Sequence, residues 1–313
     1  MPDKRVSIII VNWRTPRLLA ACLDSLSLDR GHAQFEFIVV DNHSDDGSIE
    51  ILAQQYPFVQ VIANSENVGF SKACNQAIPL AQGKYVLLLN PDTVVAQGAV
   101  SALADFMEAD NDCGATGPKV LNPDGTLQLA CRRSFPDPVA AFFRITYLSR
   151  LFPRHRLLAR YNLTYADPEA TLEVDALSGS CMMVRREVVD VVGLLDEDIF
   201  MFGEDIDWCW RIKQAGWKIC YFPSAVVYHY HGAASRLRPV GTTINLHKGM
   251  EVFYRKHMAP KYWPVFNALV YTAIWCRAAV FVVLRILGNL RPVKTELPSM
   301  PVASSDLVSN SRK

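Results

Sequence analysis

The sequence predicts an α/β protein with a mostly parallel β-sheet that is covered by helices on both faces. Three observations lead to this prediction: strand-like and helix-like segments alternate in the first half, the strand-like runs are apolar throughout, and polar residues follow where these runs end. Parallel strands buried on both faces form continuous apolar runs and need helical crossovers. The composition, 50% hydrophobic and 20% charged, is typical of a folded globular chain.

The first 90 residues contain the alternating pattern. Short runs rich in β-branched and aromatic residues predict strands, and segments with apolar residues at helical spacing predict helices. The predicted strands are Val6–Val11, Phe35–Asp41, Val59–Ala63 and Tyr85–Asn90, and the predicted helices run from Pro16 to Leu26, from Asp46 to Gln55 and from Ser71 to Ala81.

The second half of the sequence is less regular. Residues Gly117–Arg133 predict two strands around a turn at Asn122–Gly125, and Leu177–Arg186 predicts another strand. Glu204–Ala215 predicts a helix that ends at Gly216, because glycine commonly stops helices. The runs WKICYFP and AVVYHYHG predict the strands that complete the sheet.

A long apolar segment, Pro264–Leu287, follows the predicted sheet and is long enough to cross a bilayer. Arg277 lies near its middle, and a central arginine costs at least about 2.5 kcal/mol on insertion scales. A helix in the membrane surface avoids most of that cost, and so does a helix packed in the core or in a homodimer contact; the sequence leaves these alternatives open. Aromatic and basic flanks resemble those of a surface helix: Tyr262, Trp263, Arg285, Arg291 and Lys294.

These patterns predict the domain boundaries. Residues 1–240 form the α/β domain, in which the first half reaches about residue 115 and the second half runs from about 116 to 240. Residues 241–292 form C-terminal helices that are candidates for membrane contact, and the polar residues 293–313 form a disordered tail.

Charge and cysteine usage narrow the classes of function. The formal net charge is +1, so nothing favours nucleic-acid binding, which usually leaves a strongly basic surface. The eight cysteines include no Cys-x-x-Cys pair and lie mostly in apolar runs, as expected for reduced core residues of a cytoplasmic protein. The start, MPDKRVSIIIVNW, has an apolar run too short for a signal peptide.

Polar residues at the ends of predicted strands indicate the ligand site, because ligands of open α/β sheets bind beyond the carboxyl ends of strands. Asn12, Asp41 and Asn90–Asp92 occupy these positions. Asp41 suits a nucleobase or ribose contact, while the residues after it suit a helix-capping turn. Asp92 with a nucleotide diphosphate would form an oxygen site for Mg²⁺ or Mn²⁺, and a simple Asn-Pro-Asp turn is the alternative.

Two further segments contribute candidate residues. The loop Asn64–Ala77 carries Gly69 before a predicted helix, whose N-terminus favours an anion. His229 and His231 lie on the same side of a predicted strand, because side chains alternate. Such a pair either ligates a metal, holds a phosphate or serves the structure alone.

The stretch FGEDIDWCWR, residues 202–211, places three carboxylates at the start of a predicted helix. Asp207 is four residues before Arg211, which is the spacing of a helical ion pair. That pair does not explain Glu204 and Asp205. A carboxylate crowded by other acids has a raised pKa, which suits a general base.

The order and spacing of these motifs resemble the family 2 glycosyltransferases, and more narrowly the bacterial branch that contains rhamnosyltransferases of cell-surface polysaccharide assembly. The resemblance covers roughly residues 5–236. It rests on Val6–Trp13, Asp41, Asn67–Asn75, Asn90–Asp92, Ser178–Gly179, Glu204–Arg211 and His229–Ser235.

The resemblance implies a GT-A fold and an inverting transfer that depends on Mg²⁺ or Mn²⁺. The implied nucleotide-sugar pocket consists of Asn12, Asp41, Asn67, Gly69, Asn75, Asn90 and Asp92. Asn90 stands at the first position of the family's Asp-x-Asp motif, so the implied metal site has one charge fewer. Asp92 would hold the metal together with His229, or alternatively with His231.

The resemblance also implies an acceptor side. Ser178 and Gly179 border the implied acceptor pocket, and Asp205 is the implied base, with Glu204 as second choice. Trp208 either floors the acceptor site or packs in the core. Arg132, beside Arg133, either contacts a diphosphate or an anionic acceptor or belongs to a solvated surface pair.

The implied function is transfer of one sugar, with rhamnose as a candidate, to a lipid-linked or polysaccharide acceptor at the inner face of the cell membrane. The arginines between Arg144 and Arg160 suit a lipid-diphosphate acceptor or an anionic membrane. Processive synthases are disfavoured, because the chain lacks their Gln-x-x-Arg-Trp motif and several clear spans. The alternatives are a nucleotidyltransferase, expected to have a glycine-rich loop after the first strand, and a non-catalytic nucleotide-sugar-binding partner of another transferase.

Overall fold

The computed structural model describes residues 5–29, 34–230, 232 and 237–288. The strands are β1 Val6–Asn12, β2 Phe35–Asp41, β3 Val59–Ala63, β4 Tyr85–Leu89, β5 Thr93–Val95, β6 Cys113–Leu121, β7 Arg132–Arg133, β8 Leu172–Glu173, β9 Ala176–Leu177, β10 Cys181–Arg185 and β11 Lys218–His229. The α-helices are α1 Pro16–Ser27, α2 Ser48–Gln55, α3 Phe70–Ala77, α4 Ala99–Ala109, α5 Pro138–Ile145, α6 Leu148–Leu151, α7 Arg186–Val192, α8 Glu204–Gln214, α9 Pro239–Phe253 and α10 Pro264–Gly288.

The first half forms the parallel part of a mixed sheet with the order β3-β2-β1-β4-β10-β6-β11-β5, and β8 pairs at the side with β11. β1 pairs in parallel with both β2 and β4, and its last residue, Asn12, lies opposite Asp41 of β2. β1 is buried throughout because alternate residues enter two cores: Ile9 packs in one and Ile8 and Ile10 in the other. The four predicted strands are confirmed, and polar residues lie at their carboxyl ends.

The second half is mixed, because β10 lies antiparallel between β4 and β6, while β11 runs parallel to β6. The two strands predicted from WKICYFP and AVVYHYHG are one twelve-residue strand, β11, with a register irregularity between Phe222 and Val226. His229 is the last residue of this single strand, and it pairs with Thr93 of β5.

The strand predicted at Leu177–Arg186 is interrupted. A turn at Ser178–Ser180 separates β9 from β10, and the Cys181 N–H donates to the Ser178 carbonyl. β9 leaves the main sheet and pairs with β7 in a two-stranded sheet. The interruption therefore leaves Gly179 in a turn between the two sheets.

The segment Gly117–Arg133 is only partly a strand pair. The predicted turn is present, since the Asn122 N–H donates to Thr126 and the Gly125 N–H donates to Asn122. After the turn, however, there is an isolated bridge at Leu127 and then only the two-residue β7.

Helix α8 begins at Glu204, as predicted, and its cap residue Gly203 has φ +104°. α9 approaches the loop before this helix backbone to backbone: a Cβ on Gly249 would lie 2.0 Å from the Phe202 carbonyl oxygen. Only glycine permits that contact. The position of α9 therefore fixes the entrance to α8.

The apolar C-terminal segment is helix α10, the one helix among the described residues that is long and apolar enough to cross a membrane by length and composition. Arg277 in its middle faces α9, where its Nη1 lies 2.9 Å from His247 Nε2. Most of the remaining helix surface is exposed. Its membrane contact, the homodimer and the domain boundaries stay predictions, and the tail 293–313 lies outside the described residues.

None of the eight cysteines, all of which the structure describes, forms a disulfide. Seven are buried, as predicted for core residues, and Cys276 on α10 is exposed.

Candidate functional site

Two residues at strand ends, Asp92 and His229, meet beside β5, and we call them the strand-end pair. Asp92 lies between β4 and β5, and His229 ends β11. The antiparallel pairing of β5 with β11 brings them together, so that His229 Nε2 lies 3.0 Å from Asp92 Oδ1. Both residues are buried.

Gln128 sets the orientation of the imidazole. Its Nε2 donates to the His229 carbonyl at 2.8 Å, so its Oε1, 2.9 Å from His229 Nδ1, is the acceptor of an Nδ1–H. His229 Nε2 then faces Asp92 Oδ1, with the Asn90 amide nitrogen 3.3 Å away. Nothing in the sequence indicated Gln128, because a single glutamine in a loop carries no pattern.

The strand-end pair fits a divalent cation. A carboxylate oxygen and an imidazole nitrogen 3.0 Å apart need a shared proton or a cation between them. Mn²⁺ and Mg²⁺ accept carboxylate oxygen, and imidazole suits transition metals. The described residues contain no group of three or more His, Cys, Asp or Glu side chains that could hold a metal, so the protein would supply part of the ligand sphere. His231 lies outside the described residues.

Asn12 ends β1 and supports the turn that follows β2. The residue is fully buried, and its Nδ2 contacts Asp41, Ser44 and Ser48 while its Oδ1 accepts from Thr15. The contact of Asn12 with the nucleotide-sugar stays a prediction.

Asp41 is 2% exposed and accepts hydrogen bonds at both carboxylate oxygens. Oδ1 accepts from Asn12 and the Ser44 hydroxyl, and Oδ2 accepts from the Ser44 N–H at 2.9 Å. These bonds fix the turn after β2. Contact of Asp41 with a base or ribose stays a prediction.

The loop before α3 is built for close packing. Gly69 has φ +90°, and a Cβ there would lie 2.7 Å from the Phe200 ring and carbonyl. Asn67 accepts from the Gly69 N–H and thereby shapes the loop. Contact of Asn67 and Gly69 with the nucleotide-sugar stays a prediction.

Asn75 on α3 ties down a distant segment. Its amide donates to the Leu195 carbonyl and to Glu197, and it accepts from the Leu195 N–H. These bonds use both amide hydrogens, so Asn75 positions the segment around Leu195 and Glu197. Its contact with the nucleotide-sugar stays a prediction.

The second centre is formed by Glu204 and Asp205 at the start of α8, which we call the entrance acids. Asp205 Oδ2 accepts from the Gly179 N–H at 3.0 Å and from Arg133 Nη2 at 2.6 Å. The side chains of this ion pair are 11% and 12% exposed, so it is largely shielded from water. Asp205 is thereby fixed against the Ser178–Ser180 turn.

Glu204 has a different environment, although it adjoins Asp205. It is 6% exposed, and its Oε2 has no hydrogen-bond partner among the described residues. Burial and then the Asp205 carboxylate raise the pKa of Glu204 to about 8. Glu204 therefore resists ionisation at neutral pH.

The Ser178–Ser180 turn joins the two centres. A Cβ on Gly179 would lie 3.4 Å from Asp205 Cβ and 3.7 Å from Glu204 Oε1, so the turn approaches the entrance acids closely. At its other end, the Ser180 carbonyl accepts from the Asn90 N–H at 2.9 Å. Asn90 in turn contacts His229. The strand-end pair and the entrance acids are thus separated by one short turn, whose Ser178 and Ser180 hydroxyls lie 3.0 Å apart.

Two predicted acceptor residues are core residues. Trp208 is fully buried and its indole N–H donates to the Gly193 carbonyl, so it cannot floor an acceptor site. Arg132 is 2% exposed and donates to the carbonyls of Ala166 and Asp167, with its guanidinium over Tyr221. The neighbouring Arg133 contacts the entrance acids, because adjacent residues of a strand point in opposite directions.

The predicted pair of Asp207 and Arg211 is confirmed, at 2.8 Å. Asp207 also contacts His257, which lies 2.6 Å away in a π-helical turn, Tyr254–Met258, after α9. Burial opposes the charge on Asp207, but His257 and Arg211 outweigh it and lower the pKa of this carboxyl. This acid therefore joins α8 to the C-terminal helices.

Comparison with known proteins adds independent information. A family model described as "Glycosyltransferase like family 2" matches residues 2–240. N-acetylglucosaminyl-diphospho-decaprenol L-rhamnosyltransferase from Mycobacterium tuberculosis is 30% identical over 257 residues, which are 79% of this chain and 82% of that protein. Rhamnosyltransferase WbbL from Escherichia coli is 26% identical over 232 residues, 72% of this chain and 83% of that protein.

Solved structures share the fold. A mannosyltransferase from Pyrobaculum calidifontis, in complex with GDP-Man and Mn²⁺, has a TM-score of 0.55 at 18% identity and covers 91% of this chain and 79% of its own. GalNAc-T7 with UDP, GalNAc and Mn²⁺ has a TM-score of 0.55 at 16% identity and covers 80% of this chain and 48% of its own. These similarities confirm the GT-A fold that the sequence motifs implied.

Proposed function

Since the chain belongs to glycosyltransferase family 2, we propose that it transfers one sugar, with inversion, from a nucleotide-diphosphate sugar to a hydroxyl group of a lipid-linked saccharide. The observation that carries this proposal is the short turn Ser178–Ser180. Its Ser180 carbonyl accepts from the Asn90 N–H beside the strand-end pair, and its Gly179 N–H donates to Asp205 of the entrance acids. A sugar held at this turn would have its diphosphate near one centre and its acceptor near the other. The nucleotidyltransferase alternative is set aside, because the chain is a glycosyltransferase.

The donor end of the reaction is assigned to the strand-end pair. Asp92 and His229 would hold Mn²⁺ or Mg²⁺, which when bound offsets the negative charge of the departing diphosphate. The mannosyltransferase and GalNAc-T7 structures contain Mn²⁺, which supports a divalent cofactor. Gln128 orients the imidazole for this role, as outer-shell groups commonly do.

The acceptor end is assigned to the entrance acids. Asp205 is proposed as the general base, because it borders the turn, and Arg133 and the Gly179 N–H hold its carboxylate in one orientation. It would take the proton of the acceptor hydroxyl as the oxygen attacks the anomeric carbon and the bond from that carbon to the diphosphate breaks. Glu204, buried and with a raised pKa, is proposed to keep the neighbourhood of Asp205 free of a second negative charge.

The relatives suggest the substrates. The names of the mycobacterial and Escherichia coli proteins point to L-rhamnose as the sugar, and the former names an N-acetylglucosaminyl-diphospho-decaprenol acceptor. We propose a polyprenyl-diphosphate saccharide as acceptor and action at the inner face of the cell membrane.

The test is a thermal-shift panel of thymidine-, uridine- and guanosine-diphosphate sugars with and without Mn²⁺. Binding to the native state raises the melting temperature by mass action, so one donor is expected to stabilise the protein and Mn²⁺ to increase the effect. The Asp92→Asn variant is the matched control, in which the Mn²⁺ increment is expected to vanish. Product formed from the selected donor is then examined by NMR for inverted anomeric configuration; retention would contradict the proposal, as would stabilisation by none of the donors.

A further inference from the structure

Two exposed segments of the molecule share an unusual charge pattern. Residues 138–160, which include α5 and α6, and residues 262–288, which include α10, contain seven arginines and no aspartate or glutamate. Five of the arginines are exposed and form no ion pair among the described residues: Arg144, Arg150, Arg154, Arg156 and Arg285. We call the exposed side chains of these two segments the basic apolar face.

Large apolar side chains are interspersed with the arginines. On the first segment, Phe142, Tyr147 and Leu151 are 57–70% exposed. On the second segment, Trp263, just before α10, is 82% exposed, and Leu269 on α10 is 63% exposed. The other exposed apolar residues of α10 are Val265, Phe266, Trp275, Val280, Phe281, Val283, Leu284, Ile286 and Leu287. Exposed apolar side chains in this number on two segments indicate an interaction site.

The two segments lie side by side. Arg277 of α10 is close enough to Arg144 and Tyr147 to interact with them electrostatically. The first segment also joins the acceptor end of the proposed site directly: β7, which carries Arg133, precedes it, and the Ser134 N–H donates to the carbonyl of Tyr161 just after it.

Helix α10 is attached to the protein through side chains between Asn267 and Arg277. Asn267 accepts from the Tyr254 hydroxyl, the Trp275 indole donates to Glu251, and Arg277 contacts His247. A spanning helix needs about 20 consecutive residues in hydrocarbon. The contacts of Trp275 and Arg277, the first of them to a carboxylate of α9, lie in the middle of α10. The helix therefore presents its opposite side outward.

We propose that the basic apolar face docks in plane on an anionic lipid bilayer, with α10 and α5–α6 as its two contact elements. Exposed arginines match anionic headgroups, the apolar and aromatic side chains reach the acyl boundary, and Arg277 is satisfied on the protein side. The inference rests on the proposed function in one respect, since docking would bring a lipid-linked acceptor to the side of Arg133 and Asp205.

The test is co-sedimentation of the full chain with vesicles of phosphatidylcholine alone and of phosphatidylcholine with phosphatidylglycerol. Binding is expected to the mixed vesicles only, and to weaken with salt. Arg150→Gln is expected to reduce it about fivefold and Arg150→Gln with Arg154→Gln about 25-fold, from the usual contribution of one basic residue near an anionic surface. Leu269→Glu and Leu151→Glu remove the apolar contact, and Val191→Glu, at a residue 70% exposed on α7, is the matched control that binds like the parent.

The alternative occupant of this face is a second copy of the chain. A parent that sediments as a dimer, becomes monomeric in Leu269→Glu and ignores mixed vesicles would overturn the proposal. Each preparation is also assayed with a water-soluble acceptor analogue. Transfer to the analogue without vesicle binding refutes docking alone, whereas vesicle binding without transfer refutes the proposed function and leaves docking standing.

Discussion

The strand-end pair and the entrance acids use the same kind of side chain in opposite ways. Asp92 is held opposite His229 by two paired strands, so a carboxylate and an imidazole converge on one point. The entrance acids are consecutive residues of one helix turn, so they diverge: Asp205 meets Arg133, while Glu204 enters a buried position. Side chains brought together from separate strands can thus form one binding point. Two consecutive acids on one helix instead occupy two separate environments.

Substitution of the entrance acids is expected to give the largest effect. Asp205→Asn is expected to reduce sugar transfer by about a thousandfold, within the range for loss of a general base. Glu204→Gln keeps the uncharged side chain that Glu204 favours and is expected to cost far less. Transfer rates of both variants are measured beside their donor-induced thermal shifts, which are expected to stay at the parental value. A larger loss in Glu204→Gln would reverse the assignment.

The strand-end pair gives the next largest effect. Asp92→Asn is expected to weaken Mn²⁺ binding in the presence of a nucleoside diphosphate by at least about a hundredfold, because it removes a charged ligand. Gln128→Leu leaves both ligands and is expected to cost about tenfold through loss of the imidazole orientation. Titration of Mn²⁺ followed by electron paramagnetic resonance measures both variants. Equal affinity in the parent and Asp92→Asn would show that the metal, if bound, lies elsewhere.

These two centres also show what the sequence could predict. The strands and the polar residues after them were predictable, since apolar runs and strand ends are local patterns, and Asp92, His229, Glu204 and Asp205 all lie where those patterns placed them. Side-chain direction was not predictable at Arg132 and Arg133, because a two-residue strand has no periodicity to reveal which one faces the site. The burial of Trp208 and Asn12 was not predictable either, because their partners, Gly193 and Asp41, come from other segments of the chain.

Substitution of Arg133 tests how the orientation of Asp205 contributes to the reaction. Arg133→Gln removes the cation that orients Asp205 and is expected to lower the transfer rate about tenfold, the usual scale of a hydrogen bond between charged groups. Arg133→Lys keeps the charge and is expected to recover part of the rate. Steady-state kinetics with saturating donor separate this loss from donor binding. A donor KM that rises while kcat holds would instead place Arg133 at the diphosphate.

Glu204 gives the smallest effect, a pH dependence of stability. Its pKa is raised in the folded protein, so between its unfolded value near 4.5 and about 8 the folded state binds more protons than the unfolded state. Stability from this group is therefore complete below pH 4.5 and is lost as the pH rises through 8. At pH 9, Glu204→Gln is expected to melt roughly 2–4 °C above the parent for each kcal/mol by which it raises the free energy of unfolding. At pH 5 the two melting temperatures are expected to be much closer. An equal difference at both pH values would contradict the burial of an uncharged Glu204.

The contacts of α9 and the π-helical turn determine the smallest fragment of this chain that would keep the site intact. The match to the family model ends at residue 240, yet Gly249 supports the loop ahead of Glu204 and His257 pairs with Asp207 on the same helix. A chain cut at 240 would leave the Asp207 carboxylate with Arg211 alone and would uncover Phe202. Any exchange of C-terminal segments between relatives, intended to alter the acceptor, must therefore carry these two contacts along with the exchanged helix.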